Sequence, residues 1–261
     1  MDEFKKRLKE FLKIKNYSYH TISNYERDIN RFLKFLDENK FMPEDLSSPI
    51  ITKWIISLRK NGLGNRSIQR NISSLKNFYK FLFKSSLIET NFFETIQSPK
   101  IGETLPKALT PEDVEILLSF NPKSVSDIRD KAFLELLYSS GLRVSEAVNV
   151  NISSFESDFS FVKVLGKGRK ERMLPVGRFA KEAILFWLES RTRLGGSSEA
   201  LFLNKFGKRI SIRAMQERIY RISLAQGLAP VSPHMLRHSF ATHMLESVSY
   251  THLTLPTRDD V

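Results

Sequence analysis

Ser232-Pro233-His234-Met235-Leu236-Arg237-His238 reads as a helix start, with Ser232 as the cap and Pro233 at the first helical position. His234 and Arg237 are i,i+3 neighbours and therefore share a face. A helix N-terminus favours an anion. Histidine and arginine on one turn offer a phosphate both a proton-transfer group and a bidentate oxygen clamp. The plainer reading is a capped surface helix whose His and Arg face water.

Two further segments carry comparable chemistry. Ser139-Ser140-Gly141-Leu142-Arg143-Val144-Ser145-Glu146 joins two helical patterns at a glycine, so backbone rather than a mobile stem presents Arg143. Arg143 could equally just pair with Glu146. Gly166-Lys167-Gly168-Arg169-Lys170 sits at a hairpin tip, where glycines let the backbone approach a ligand and Lys167 can reach into a cleft. A solvated basic turn is the alternative. The segment is no P-loop, because it lacks the GK[ST] ending and a following helix. There is no HExxH, no Cys-His zinc spacing and no run of carboxylates at metal-ligand intervals. An enzyme built on two arginines, a lysine and a histidine is expected to work without a metal.

These residues need helices and one hairpin to position them. In the first hundred residues Phe4, Leu8, Phe11 and Leu12 recur at helical spacing, as do Tyr25, Ile29, Phe32, Phe35 and Leu36, with Ser18 or Thr21 as candidate caps of the second run. Ile51, Trp54, Ile55 and Leu58 predict a third helix ending near Asn61-Gly62. A fourth runs from about Ser67 to Phe83, with Ile68, Ile72, Leu75, Tyr79 and Leu82 on one face. Arg66, Arg70, Lys80 and Lys84 fall on the opposite face and Lys76 at its margin. No acid occurs between Ile51 and Leu87. A solvated helix usually mixes signs to gain i,i+4 pairs, so this single-sign stripe predicts phosphate contacts of DNA or RNA.

The stretch 90–110 contains Pro99, Gly102 and Pro106, lacks a period and reads as a linker, bounded at 89–108. Beyond it, Thr110-Pro111-Glu112-Asp113 looks like a capped helix start. Helices are expected over 111–119, 126–139, 178–193, 211–226 and 233–246. The alternating Phe159–Val164 and the run Arg172–Val176 flank the basic tip as a hairpin.

Composition sets the frame. With 261 residues, two domains are the natural expectation, and 41% hydrophobic residues can fill both cores. The formal charge of +12 belongs to a protein that meets a polyanion. Residues 1–105 hold 19 basic and 12 acidic side chains, residues 106–261 hold 22 and 17, so both halves are basic. The absence of cysteine excludes disulfides, thiol catalysis and Cys-ligated zinc, and fits a cytoplasmic setting. No window reaches the ~18 apolar residues of a membrane span.

Taken in order, GLRVSEAV, then VLGKGRKERMLPV on a hairpin, then SPHMLRHSFATHML resemble the tyrosine recombinase (phage integrase) family, and most of all its Xer-like chromosome-dimer resolvases. TISNYERDINRFLKFL and RSIQRNISSLKNFYKFL resemble the core-binding domain of that family, and LPKALTPEDVEILL the entry to its catalytic domain. The likeness runs over nearly all of residues 1–246. It implies a mainly α chain with a small β-hairpin in the second domain (α+β), arranged as a two-domain C-shaped DNA clamp. Residues 1–88 would form the helical, SAM-like core-binding domain, 89–108 the linker and 109–247 an incomplete catalytic domain. The partners implied are double-stranded DNA and a homo- or hetero-tetramer of recombinase subunits, with no cofactor and no membrane.

The implied chemistry is attack of a tyrosine on the scissile phosphate, giving a 3′-phosphotyrosine and a free 5′-hydroxyl. Storing bond energy in the phosphotyrosine removes the need for ATP. By motif position Arg143 and Arg237 clamp the non-bridging oxygens, Lys167 protonates the leaving 5′-oxygen and His234 assists proton transfer. Arg66, Arg70, Lys76, Lys80 and Lys84 would contact DNA. A mobile-element integrase of the same family and a cleavage-defective DNA-binding protein are the alternative readings.

The C-terminus departs from the pattern. In the family the His-x-x-Arg helix is followed by helices bearing a second His or Trp and the nucleophilic tyrosine, and by a tail that docks on a neighbouring subunit. Here the likeness stops after Ser247. An internal deletion would leave Tyr250 as the candidate nucleophile, little more than three helical turns after Arg237. Alternatively, Val248 to Thr257 translate one frame of a transposon-based sequencing adapter, gtc tct tat aca cat ctg acg ctg ccg acg. On that reading 248–261 is a non-native tail, the nucleophile is missing, and the chain is expected to bind DNA without cutting it.

Overall fold

The computed structural model describes residues 2–14, 19–44, 46–99, 108–166, 170–194 and 198–253, with no side-chain description from Ser247 onward. The chain divides into two compact units, Met1–Glu103 and Thr104–Val261. No helix among the described residues is long and apolar enough to cross a membrane.

The first unit contains α1 (Asp2–Ile14), α2 (Tyr19–Glu38), α3 (Ser48–Lys60) and α4 (Asn65–Lys84). Each buries the stripe that its periodicity predicts: Phe11, Ile29, Phe32, Leu36, Ile51, Trp54, Ile68, Ile72 and Leu75 are fully buried. Phe32 meets Trp54 edge to face at 4.9 Å, a geometry aromatic rings prefer over face-to-face stacking. α2 begins at Tyr19, so Thr21 lies inside the helix and cannot cap it; Ser18 lies outside the described residues. Pro49 near the start of α3 is tolerated because the first amide groups of a helix have no intrahelical partner.

The segment after residue 88 is not spacer throughout. Phe92–Glu94 forms a 3₁₀ turn capped by Asn91, and Phe93 is fully buried against Phe32, Trp54 and Tyr79. A buried ring gains roughly 2–3 kcal/mol from leaving water, which outweighs the aperiodic pattern around it and draws this part of the expected linker into the first core. Residues 100–107 lie outside the described residues.

The second unit is built around α6 (Val125–Ser140). It follows α5 (Pro111–Leu118), whose start is closed by the Thr110 hydroxyl accepting from the Asp113 amide at 3.1 Å. Residues 132–137 of α6 are buried on every side, because α8 (Arg178–Arg191), α9 (Ile212–Ala225) and α10 (Pro233–Leu253) all pack on it. Between α6 and α8 the chain forms the short helix α7 (Val144–Asn149) and an antiparallel hairpin of β1 (Phe161–Leu165) and β2 (Glu171–Pro175).

Val162 and Val164 face the core, while Phe161, Lys163 and Leu165 face solvent, the alternation expected of a half-buried strand. β1 starts two residues later than the alternation predicts. Phe159 has a φ of +60° in a turn whose amide bonds to the Glu156 carbonyl at 3.0 Å, so it cannot join the ladder. α10 runs seven residues past the expected end at 246. No glycine or proline falls between His234 and Leu253 to interrupt it.

Candidate active site and nucleic-acid interface

α6 ends at Gly141, whose φ of +56° is the left-handed C-terminal turn that glycine adopts without strain. A Cβ at this position would lie 2.3 Å from Phe240 Cδ1 of α10. Glycine is therefore required both by the turn and by the close approach of α10. Leu142 plugs the core, and Arg143 emerges as the residue before α7. Its guanidinium is half exposed, and Nη1 reaches Glu146 Oε1 at 3.0 Å. Glu146 Oε2 also accepts from the Arg143 amide at 2.9 Å.

The start of α10 is capped as expected, the Ser232 hydroxyl accepting from the Met235 amide at 3.4 Å. One turn in, Arg237 is half buried and donates through Nη1 to the Gly141 carbonyl. Its guanidinium lies 4.0 Å from Glu146 Oε2. His234 is exposed on the first turn. Arg143, His234 and Arg237 thus line one pocket of about 270 Å³, with Ser145 and Gln216 completing its polar wall. Two segments about ninety residues apart in sequence, the Gly141 turn with the start of α7 and the start of α10, converge on it.

Two residues of this arrangement were not singled out as functional by sequence reasoning. Glu146, only 6% exposed at its side chain, is the shared acceptor. Arg172 on β2 reaches it with Nη2 at 2.8 Å from Oε2. The sequence sign of Glu146 is its i,i+3 spacing from Arg143, which by itself indicates no more than a structural pair. Nothing in the sequence signals Arg172, because its contact comes from strand placement. Three guanidinium groups around one carboxylate leave a formal surplus of two positive charges.

Burial pushes the Glu146 carboxyl upward, but hydrogen bonds from the Arg143 amide and from the Arg143 and Arg172 guanidinium groups outweigh it and hold the group below its ordinary value. Burial also lowers the Arg237 guanidinium, and the neighbouring charges of Arg143 and Arg172 lower it further against the pull of Glu146.

Lys167 lies outside the described residues. The hairpin that carries it is closed just before the tip, where the Gly166 amide donates to the Lys170 carbonyl at 2.8 Å. Tyr250 sits on the last turns of α10, and its side chain is not described.

In the first unit α4 separates its faces as the periodicity predicts. Ile68, Ile72, Leu75, Tyr79 and Leu82 are buried, whereas Arg66, Arg70, Lys80 and Lys84 are exposed and Lys76 is intermediate. Arg66, Arg70 and Lys76 line a groove of about 550 Å³ together with Gln69, Ser73 and Ser98. Arg70 is not wholly available to a ligand. Its Nε and Nη2 form a bidentate pair with the buried Asp28 at 3.0 and 2.8 Å, a contact between α2 and α4 that no helical period reveals.

A second groove, of about 890 Å³, runs between α2 and α3 and is lined by Arg27, Arg31, Lys34, Lys53 and Lys60. Its one acidic side chain, Glu38, lies 3.6 Å from Lys34. The spacing of Arg27, Arg31 and Lys34 at i, i+4 and i+7 was the legible sign of this cationic stripe.

Comparison with known proteins bears on both units. The model of the phage integrase family matches residues 107–253, and that of the phage integrase N-terminal SAM-like domain matches residues 3–85. The chain is 40% identical over 243 residues to tyrosine recombinase XerC of Haemophilus influenzae strain PittEE, covering 92% of this chain and 82% of that protein. It is 38% identical over 229 residues to XerC of Escherichia coli O157:H7 strain EC4115, with coverages of 87% and 77%. Among solved structures, a lambda integrase fragment dimer bound to a COC′ core site superposes with a TM-score of 0.73 at 18% identity, over 98% of this chain and 95% of that one. XerH bound to a palindromic difH substrate after cleavage gives 0.71 at 20% identity, over 90% and 71%.

Proposed function

The chain belongs to the phage integrase family of tyrosine recombinases, site-specific enzymes that break and rejoin DNA, and we propose that the pocket between the Gly141 turn and the start of α10 is its phosphate-transfer centre. The observation that carries this reading is one pocket lined by Arg143, His234 and Arg237 and backed by a surplus of positive charge. Arg143 and Arg237 hold the non-bridging oxygens of the scissile phosphate, whose charge grows as the fifth bond forms. His234 moves a proton at the phosphate, and Lys167 at the hairpin tip protonates the departing 5′-oxygen. The attacking tyrosine retains the bond as a 3′-phosphotyrosine, and the reverse reaction reseals the strand.

DNA is held by phosphate contacts from the exposed face of α4, through Arg66, Lys76, Lys80 and Lys84 with a part from Arg70. The biological reaction is chromosome dimer resolution of the Xer type, in the cytoplasm, by a tetramer of recombinase subunits on two DNA sites. The identity of about 40% to XerC proteins supports this reading over that of a mobile-element integrase.

The nucleophile is a separate matter. Tyr250 follows Arg237 by thirteen residues on a helix running unbroken to Leu253, which at ~1.5 Å per residue carries its backbone about 20 Å along the axis. A tyrosine side chain does not span that distance, which argues against Tyr250 as the nucleophile for a phosphate held by Arg143 and Arg237 of its own subunit. The test uses a duplex that the chain selects from random sequence, nicked near its centre to trap any covalent product. Tight, salt-sensitive binding without a denaturant-resistant complex is expected. A covalent complex that vanishes in Tyr250→Phe would assign Tyr250 as nucleophile and overturn this part of the reading.

A further inference from the structure

Arg172 stands on β2, outside the pocket lining, yet it makes the shortest contact to the carboxylate that organises the pocket. Its Nη2 lies 2.8 Å from Glu146 Oε2, against 3.0 Å for Arg143 on Oε1 and 4.0 Å for Arg237 on Oε2. A Cβ on Gly166 would lie 2.6 Å from Arg172 Nη1, and Gly166 has no positive φ that would otherwise call for glycine. Glycine there leaves room for a guanidinium crossing the hairpin toward α7.

A carboxylate that is 6% exposed must be balanced by nearby donors. If Arg172 did not occupy Oε2, that oxygen would keep only the Arg143 amide at 2.9 Å, and the nearest guanidinium besides that of Arg143, already on Oε1, would be Arg237 at 4.0 Å. Its guanidinium would turn inward to Glu146 and withdraw its free N–H groups from the pocket. We propose that Arg172 is a positioning residue for the arginine clamp, neutralising Glu146 from the hairpin side so that Arg143 and Arg237 keep their outward donors for a phosphate. The inference rests on the phosphate-transfer reading of the pocket. It predicts that the hairpin bearing Lys167 and the two clamp arginines are set by one shared carboxylate.

The experiment is a double-mutant cycle on duplex affinity with the full chain, read by fluorescence anisotropy over a salt series, with circular dichroism and melting to confirm folding. Arg172→Gln is expected to weaken binding roughly tenfold in the presence of Glu146 and less than about twofold in the Glu146→Gln background, with an unchanged salt slope in both. Arg172→Lys restores part of the affinity. Gly166→Ala, which keeps every charge but displaces the guanidinium, weakens binding in the same direction. An equal loss in both backgrounds with a salt slope lower by about one would make Arg172 a direct phosphate contact, and no loss in either would remove it from the site; both overturn the inference. Failure of the unsubstituted chain to bind DNA would instead contradict the parent reading.

Discussion

The second unit holds two arginine–carboxylate groupings that differ in one respect. At the start of α6, Arg129 binds Asp130 Oδ1 through Nε and Nη2 at 2.9 and 2.6 Å and the Leu203 carbonyl through Nη1 at 3.0 Å. Arg218 of α9 binds Asp130 from the other side and Asp127 at 2.7 Å. Two cations meet two anions, Asp130 is fully buried, and the principal donors are spoken for. Around Glu146 three cations meet one anion, and the surplus faces a pocket. The balanced group ties α6 to α9 and is built to be satisfied internally. The unbalanced one holds its charges together at a cost that a bound phosphate would relieve.

Substitutions should separate the two by what they damage. The largest effect is expected from Asp130→Ala, which leaves the buried Arg129 with the Leu203 carbonyl and Arg218 with Asp127: about 3–5 kcal/mol of stability lost in urea unfolding, with DNA affinity falling only as the fold does. A stability loss below about 1 kcal/mol would mean that the balanced network holds nothing together.

Next is Gly141→Ala, which forces a side chain into a left-handed turn and against Phe240. On the order of 3 kcal/mol is expected, with DNA affinity falling further because the residue-141 carbonyl that anchors Arg237 is displaced with the turn. Unchanged melting would show that α10 has room to retreat.

A smaller effect distinguishes the same two kinds of arginine in the first unit. Arg70→Ala leaves the buried Asp28 with Ser74 alone at 3.0 Å, and about 1–2 kcal/mol of stability should go with it. Lys80→Ala should leave melting unchanged and lower the salt slope of DNA binding by about one. If both substitutions behaved alike, the division of α4 cations into structural and ligand-facing would fail.

The smallest effect is in pH. Because the native Glu146 carboxyl lies below its ordinary value of 4.5, its contribution to stability is fully present above that pH and is lost as pH falls through the lowered native value. The melting temperature of the parent chain should therefore approach that of Glu146→Gln as the pH is lowered below 4.5. A constant gap down to pH 3 would show that the carboxylate interactions contribute nothing.

How much of this was legible in the sequence depends on the range of the interactions. Helix positions and the buried face of α4 follow from period, because each turn reports its own environment. The Gly141 turn and the Ser232 cap follow from local backbone chemistry. Convergence of Arg143, His234 and Arg237 was carried by resemblance, since no local pattern brings residues more than ninety positions apart into one pocket. Arg172 was missed because the hairpin register aims it, and the pairing of Arg70 with Asp28 because it spans two helices. Phe93 left the expected linker for a core that no window of sequence contains.

The unbalanced arginine group is expected to bind phosphate. The most direct test is the slope of log affinity against log salt for a duplex, comparing the parent chain with Arg143→Gln/Arg237→Gln. The slope should fall by about two while melting changes by less than ~1 kcal/mol; an unchanged slope in a folded double variant would contradict the claim.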